Sequence, residues 1–200
     1  MHVRVVTFNG AKNVKGGIDY VRDEVLPALR EQKGYAGATA SASEADAVLG
    51  VLSLWQSEAD RDASFAALAG TRKKGEEVVG GSMSAETFEL LVADIKEPPT
   101  VGTPLSITRF SMDPAQIDEH MAFFKAEVLP GIKATPGYLS LRNMVNRQSG
   151  AGIVGVAWRD HAAREAADAA AVERRQKASA RGIRFGDVTV REIVLADLPS

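Results

Sequence analysis

Glu24-Val25-Leu26-Pro27 returns as Glu127-Val128-Leu129-Pro130, 103 positions further along the chain. Gly34-Tyr35 returns as Gly137-Tyr138 at the same spacing, and the two tryptophans, Trp55 and Trp158, keep it too. Glu89-Leu90-Leu91-Val92-Ala93-Asp94-Ile95 matches Glu192-Ile193-Val194-Leu195-Ala196-Asp197-Leu198. Four separated matches in one register mark an internal duplication, the tryptophan pair being the least expected by chance. Between the copies lies Glu97-Pro98-Pro99-Thr100-Val101-Gly102-Thr103-Pro104. Three prolines and a glycine cannot continue a helix or a central strand, so this is a linker. The expected organisation is a first repeat over 1–97, a linker at 98–104 and a second repeat over 105–200.

Within each repeat the periodicity predicts the order β-α-β-β-α-β. Val3–Phe8 and Leu105–Phe110 alternate as strands, with Leu105, Ile107 and Arg109 on one face and Ser106, Thr108 and Phe110 on the other. Ile18, Val21, Val25, Leu26 and Leu29 form an apolar helical stripe, as do Ile117, Met121, Phe124, Val128 and Ile132. Asp113-Pro114-Ala115-Gln116 has the residues of a helix start. Pro27 and Pro130 fall late in these helices and are expected to kink or end them. Second and third strands are predicted at Tyr35–Ala42 and Ala47–Trp55, and at Tyr138–Val145 and Ile153–Trp158. Ala-rich helices follow around Ala59–Ala69 and Ala162–Ala178, and last strands at Thr87–Ile95 and Val188–Leu195. Such a unit puts both helices on one face of an antiparallel sheet and leaves the other face apolar and uncovered. The expected fold is therefore α+β: two tandem ferredoxin-like β-α-β-β-α-β units packed sheet to sheet as an intramolecular pseudo-dimeric α+β barrel.

Composition narrows the chemistry. With 24 Lys and Arg against 26 Asp and Glu, the formal charge is −2, and no whole-protein field would attract nucleic acid or an anionic membrane. No apolar run approaches the roughly 20 residues of a membrane span. The N-terminal Met1-His2-Val3-Arg4-Val5-Val6 reads as a strand rather than a signal peptide. There are no cysteines, so disulfides, thiolate metal sites and a cysteine nucleophile are excluded. The carboxylates, Asp187, Glu165 and Asp168 included, have no metal-ligand spacing, and no phosphate loop or nucleophile elbow is present. Arg72-Lys73-Lys74 and Arg174-Arg175-Lys177-Arg181-Arg184 are expected to form solvated faces. Cytoplasmic residence is the expectation.

The motif Val128-Leu129-Pro130, Pro136-Gly137-Tyr138, then a strand closing on Trp158-Arg159-Asp160, resembles the antibiotic biosynthesis monooxygenase-like family of the dimeric α+β barrel superfamily. The first half repeats it as Leu26-Pro27, Gly34-Tyr35 and Leu54-Trp55-Gln56-Ser57, with Lys33 where the family often has proline. The resemblance implies fold more than function, since the family includes cofactor-free monooxygenases of polycyclic aromatics as well as haem-degrading enzymes. The haem enzymes use a strand Asn, the strand-ending Trp and a helix His that ligates iron. Asn9 and Trp55 match two of these, but the helix after Trp55 has no histidine, and His161 follows Trp158 too soon, so haem iron lacks its usual ligand.

The reading that results is a small-molecule-binding protein, with a cofactor-independent monooxygenase acting on an aromatic or polyketide-like compound as its catalytic form, and a non-catalytic ligand-binding or stress-associated barrel as the alternative. No metal or cofactor is expected. His120, at the edge of the apolar stripe where the first repeat has Gly17, is the candidate general base, and Arg109 the candidate oxyanion partner; a solvated helix-flank histidine is the competing reading. Phe123, Phe124, Trp158, Asn9 and Trp55 are the candidate pocket residues, with core anchors as the favoured reading of the two tryptophans. The expected partner is an apolar or aromatic small molecule, with the chain a monomer holding an internal pseudo-dimer and further homo-dimerisation left open.

Overall fold

The structure, a computed structural model, describes residues 1–198. Its strands are β1 (His2–Asn9), β2 (Tyr35–Ser43), β3 (Val48–Trp55), β4 (Ser82–Ile95), β5 (Pro104–Ser111), β6 (Tyr138–Val145), β7 (Ala151–Trp158) and β8 (Arg184–Asp197). Its helices are α1 (Val14–Tyr20), α2 (Leu26–Arg30), α3 (Glu58–Ala67), α4 (Ala69–Val79), α5 (Ile117–Phe123), α6 (Leu129–Lys133) and α7 (His161–Ser179). The predicted order is present in both repeats.

The two compact units are not the two sequence repeats. One comprises Met1–Thr87, Thr100–Gly102 and the segment from Glu192 onward; the other comprises Phe88–Pro99 and Thr103–Arg191. In the first unit β3 lies antiparallel between β1 and β2, and β2 pairs with the end of β8, Ala38 opposite Asp197. In the second, β7 lies between β5 and β6, and β6 pairs with the end of β4, Ser140 opposite Ile95. Each unit thus takes the end of its last strand from the other repeat. The hydrogen-bonded order β1-β3-β2-β8-β5-β7-β6-β4 closes as an eight-stranded barrel, so no strand edge is left open.

The same contact secures the borrowed strand in each unit. Tyr35 Oη donates to Asp197 at 2.6 Å, and Arg30 donates to both carboxylate oxygens at 3.0 and 2.8 Å. Tyr138 Oη donates to Asp94 at 2.8 Å, and Lys133 Nζ donates to it at 2.5 Å. These four partners stand 103 residues apart in pairs, so the duplication carried the contact with it. Arg30 and Tyr35 hold the Asp197 carboxyl below its usual range, and Lys133 and Tyr138 do the same for Asp94. Burial, then the aspartate, pushes each tyrosine hydroxyl up.

Both Gly-Tyr turns have a steric reason. Gly34 and Gly137 have φ of +73° and +83°, and a Cβ would lie 2.5 Å from Asp60 in the first and 2.4 Å from Ala163 in the second. The turn therefore presses against the start of the second helix, whose N-terminus is capped in each repeat: Ser57 Oγ accepts from Asp60 N–H, and Asp160 Oδ1 from Ala163 N–H. The following tyrosine then meets the strand-ending tryptophan edge-on, at 5.8 Å in the first repeat and 6.3 Å in the second.

The prolines do not end their helices. A π turn precedes each, over Val21–Val25 and Phe124–Val128, with Leu26 N–H donating to the Val21 carbonyl and Leu129 N–H to that of Phe124. The widened turn restarts the helix, and Pro27 and Pro130 sit in its first turn, where a missing N–H costs little. Apolar side chains of Val21, Leu26 and Leu29 pack against Val51 and Trp55 in the first unit, and Phe124 and Ile132 against Val156 and Trp158 in the second.

Tyr35→Phe and Tyr138→Phe should each cost about 1–2 kcal/mol at pH 7, read by urea unfolding. Because the aspartates titrate low when folded, their contribution is complete above the ordinary carboxylate range and lost as pH falls through the folded values. The tyrosine penalty should therefore shrink as pH falls below the ordinary carboxylate range and through the lowered folded values; a penalty constant with pH would detach it from the aspartate charge. Gly137→Ala should cost about 1–3 kcal/mol for the left-handed backbone alone, and Ala163→Gly should recover only the part due to the clash.

Candidate functional site

In the second unit a cavity of about 110 Å³ lies between the sheet and the helices. Strand alternation aims Ser106, Thr108 and Phe110 of β5, and Val154, Val156 and Trp158 of β7, into it. The α5–α6 stripe contributes Met121, Phe124, Val128 and Ile132. Ala167, Ala171 and Ala178 of α7 face it with single methyl groups, which is what leaves space under that helix. The Ala-rich composition of α7 thus has a local use besides helix propensity.

Three buried polar atoms of this cavity have no hydrogen-bond partner among the described residues: Ser106 Oγ, Asn143 Oδ1 and Trp158 Nε1. A buried group of this kind with no partner costs about 1–3 kcal/mol, which makes this cavity the candidate site. His120, Arg4 Nε and Arg164 Nε are the other such cases among the described residues.

The first unit has a corresponding cavity of about 70 Å³, and its chemistry differs. Arg4, Val6 and Phe8 correspond to Ser106, Thr108 and Phe110, an offset of 102 in this strand because the second repeat has one more residue before its helix; elsewhere the offset is 103. Trp55 Nε1 donates to Ser53 Oγ at 2.9 Å, whereas the residue corresponding to Ser53 is Val156. Ala40 stands where the second repeat has Asn143. Arg4 fills the place of Ser106 and pairs with Asp62 at 2.7 Å. Phe65, whose counterpart is Asp168, lies between the Arg4 and Arg72 guanidinium groups, at 3.9 and 3.5 Å from its ring centre. Arg4 and Phe65 thus occupy part of the first cavity, which is the smaller of the two.

Arg174, Arg175 and Asp168 stand at the rim of the second cavity. Asp168 accepts from Arg164 at 2.6 Å. Burial, then the neighbouring charge of Arg175, lowers the pKa of Arg174. The basic clusters expected to be solvated therefore turn three members inward, Arg72 in one unit and Arg174 and Arg175 in the other. Helical spacing from Ala167, Ala171 and Ala178 is the signal that would have shown this.

Among the sequence candidates, Phe123, Phe124 and Trp158 line the second cavity and Trp55 the first. Asn9 is exposed at the end of β1 and lines neither. Arg109 is exposed on the β5 face opposite Ser106 and Thr108. His120 is 2% exposed, with both ring nitrogens unpartnered, so it is no solvated flank; neither is it among the residues lining the cavity. Ser106, Asn143, Arg174 and Arg175 were not singled out as site residues by the sequence pattern. Among the described residues no group of three or more His, Asp or Glu is arranged to hold a metal ion, and no helix is long and apolar enough to cross a membrane.

No family model matches the chain. The uncharacterized protein Rv2557 of Mycobacterium tuberculosis is 27% identical over 134 residues, which cover 67% of this chain and 60% of that protein. The uncharacterized protein Rv2558 of the same organism is 26% identical over 130 residues, 65% of this chain and 55% of that protein. The chain thus spans a little over half the length of these relatives. Among solved structures, a candidate monooxygenase from Fusobacterium nucleatum superposes with a TM-score of 0.72 at 10% identity, over 98% of this chain and 94% of the other. An anthrone oxidase-like protein gives 0.68 at 15% identity, over 99% and 92%. A ferredoxin-fold protein related to antibiotic biosynthesis monooxygenases, from Listeria monocytogenes, gives 0.51 at 11% identity, over 99% and 95%. At these identities the likeness establishes the fold: α+β, with an eight-stranded antiparallel barrel of the kind found in monooxygenase-like ferredoxin-fold proteins.

Proposed function

We propose that the chain is a small-molecule-binding protein of the antibiotic biosynthesis monooxygenase-like kind, and that its second repeat takes an apolar or aromatic compound into the cavity beneath α7. The observation that carries this is the convergence of Ser106 Oγ, Asn143 Oδ1 and Trp158 Nε1, none with a partner among the described residues, on one apolar space. Trp158 offers a donor, Ser106 both a donor and an acceptor, and Asn143 an amide edge. A ring bearing a carbonyl or hydroxyl group meets those requirements while burying its faces on Phe110, Phe124 and Val156. The monooxygenase-like neighbours agree with such a guest. Catalysis is not part of the proposal: His120 and Arg109 stand outside the cavity lining, and its carboxylate, Asp168, is engaged by Arg164.

Calorimetric titration with 2-naphthol tests the reading. Saturable one-to-one binding is expected, weakened about tenfold by Trp158→Phe, a loss of one buried hydrogen bond. Val156→Ser, which copies Ser53 and gives the indole an internal partner, should weaken it similarly. No saturable binding, or binding indifferent to both changes, would remove the proposal. Asn143→Leu, which replaces an unpaired acceptor by a side chain of similar size, should leave the free protein as stable or more stable by about 1–2 kcal/mol in urea unfolding while reducing binding.

A further inference from the structure

The internal duplication supplies a comparison that bears on the ligand's chemistry, resting on the cavity assignment just proposed. In the first repeat the ring of Phe65 lies with the Arg72 guanidinium 3.5 Å from its centre, and Arg72 also donates to the Phe65 carbonyl. Both residues line the first cavity. Their counterparts, at the offset of 103, are Asp168 and Arg175, and both line the second. The cation has been kept and the ring that covers it has been removed. The residue before it has also changed, from Thr71 to Arg174, so the second rim gains a positive charge.

Neither Arg174 nor Arg175 has an ion-pair partner among the described residues: Glu173 is engaged by Lys177 at 2.7 Å, and Asp168 by Arg164 at 2.6 Å. Arg174 is half-buried, its Cδ within 3.7 Å of the position a Cβ on Gly131 would take, so its stem is packed over α6. Two adjacent, partly buried guanidinium groups repel one another, and the nearby Glu173 carboxylate offsets burial and that repulsion at Arg174 only in part. Arginine is also the side chain suited to both tasks here, lying flat on an aromatic face and gripping a carboxylate with two N–H groups.

We propose that the ligand of the second repeat is an aromatic acid, whose ring takes the place that Phe65 occupies in the first repeat. Arg175 lies against its face, Arg174 holds its carboxylate at the rim, and the inner edge of the ring system reaches Ser106, Asn143 and Trp158. Arg174 and Arg175 are then specificity-determining residues. The first repeat carries its own aromatic occupant and binds nothing there.

The test uses 2-naphthoate and its neutral counterpart 2-naphthamide, titrated calorimetrically into the full chain. Naphthoate should bind about tenfold more tightly than naphthamide, a preference of charge-assisted contacts. Arg174→Met should erase most of that preference, whereas Arg175→Met, which removes the contact with the ring face, should weaken both compounds by about three- to tenfold. Asp168→Phe, which restores the internal ring, should abolish binding of both compounds while keeping the thermal unfolding cooperative; if that variant does not fold, Asp168→Leu takes its place. Equal affinities, unaltered by either arginine change, would overturn the inference and leave the cavity assignment standing. Naphthoate binding undiminished by Asp168→Phe would place the acid elsewhere and overturn it as well. Failure of both compounds to bind the unaltered chain would remove the inference and the cavity assignment together.

Discussion

The completion of each unit by the end of a strand from the other repeat is the constraint on which the remaining structure depends. β2 needs a hydrogen-bonding neighbour, and β8 supplies it; β6 needs one, and β4 supplies it. An unpaired strand edge is a liability in water, and a β-α-β-β-α-β unit with a short last strand would keep one. The exchange is fixed by a polar contact rather than by shape alone. Tyr35 with Arg30 grips Asp197, and Tyr138 with Lys133 grips Asp94. A slip of one residue would turn the aspartate to the other face of its strand and lose all of these bonds. The tyrosine is in turn placed by the left-handed glycine before it and by the tryptophan it meets edge-on, so turn, strand end and exchanged strand form one assembly in each unit.

Duplication let the two units diverge without altering that assembly. Each keeps the tyrosine, the tryptophan, the aspartate, the π turn and the helix cap. The difference is confined to the space between sheet and helices. There the first repeat pairs most of its own groups: Ser53 receives the indole N–H, Phe65 lies between two guanidinium groups, and Arg4 reaches Asp62 while its Nε has no partner among the described residues. The second gives up each of these, with Val156, Asp168 and Ser106 in their places. Such a loss is unfavourable for the isolated fold and is of the kind that functional sites retain. The stability of the first repeat and the latches common to both offset it.

The fold was largely legible in the sequence, because its signals were repeated in one register. Each strand was expected within a few residues of its place apart from the longer reach of β4 and β8, 14 residues apiece, while α4, Ala69–Val79, was not expected as a helix. Pro27 and Pro130 were expected to break their helices and instead begin new segments, since a π turn is invisible to a pattern based on a period of 3.6. The site was legible only in part. Phe124 belonged to an apolar helical stripe and Trp158 closed its strand, and both line the second cavity together with Phe123. Ser106 and Asn143 are common polar residues in strands, and Arg174 and Arg175 sat in a charged run that reads as solvated. His120 stood out by its mismatch with Gly17 and lies buried outside the cavity lining, where sequence alone placed it at a pocket edge or in solvent.

The sequence by itself determined the duplication, the order β-α-β-β-α-β, the alternation of β5 and the apolar stripe of the first helix in each repeat, because these follow from spacing along one chain and from the stereochemistry of glycine, proline and β-branched residues. Tertiary structure alone decided that each unit is completed by the end of a strand from the other repeat, that Trp158 lacks the partner Trp55 has, and that two arginines of a charged run face a cavity. Each of those depends on which residues meet across distances of tens to over a hundred positions, and hydrogen-bond satisfaction is a property of such meetings rather than of residue type.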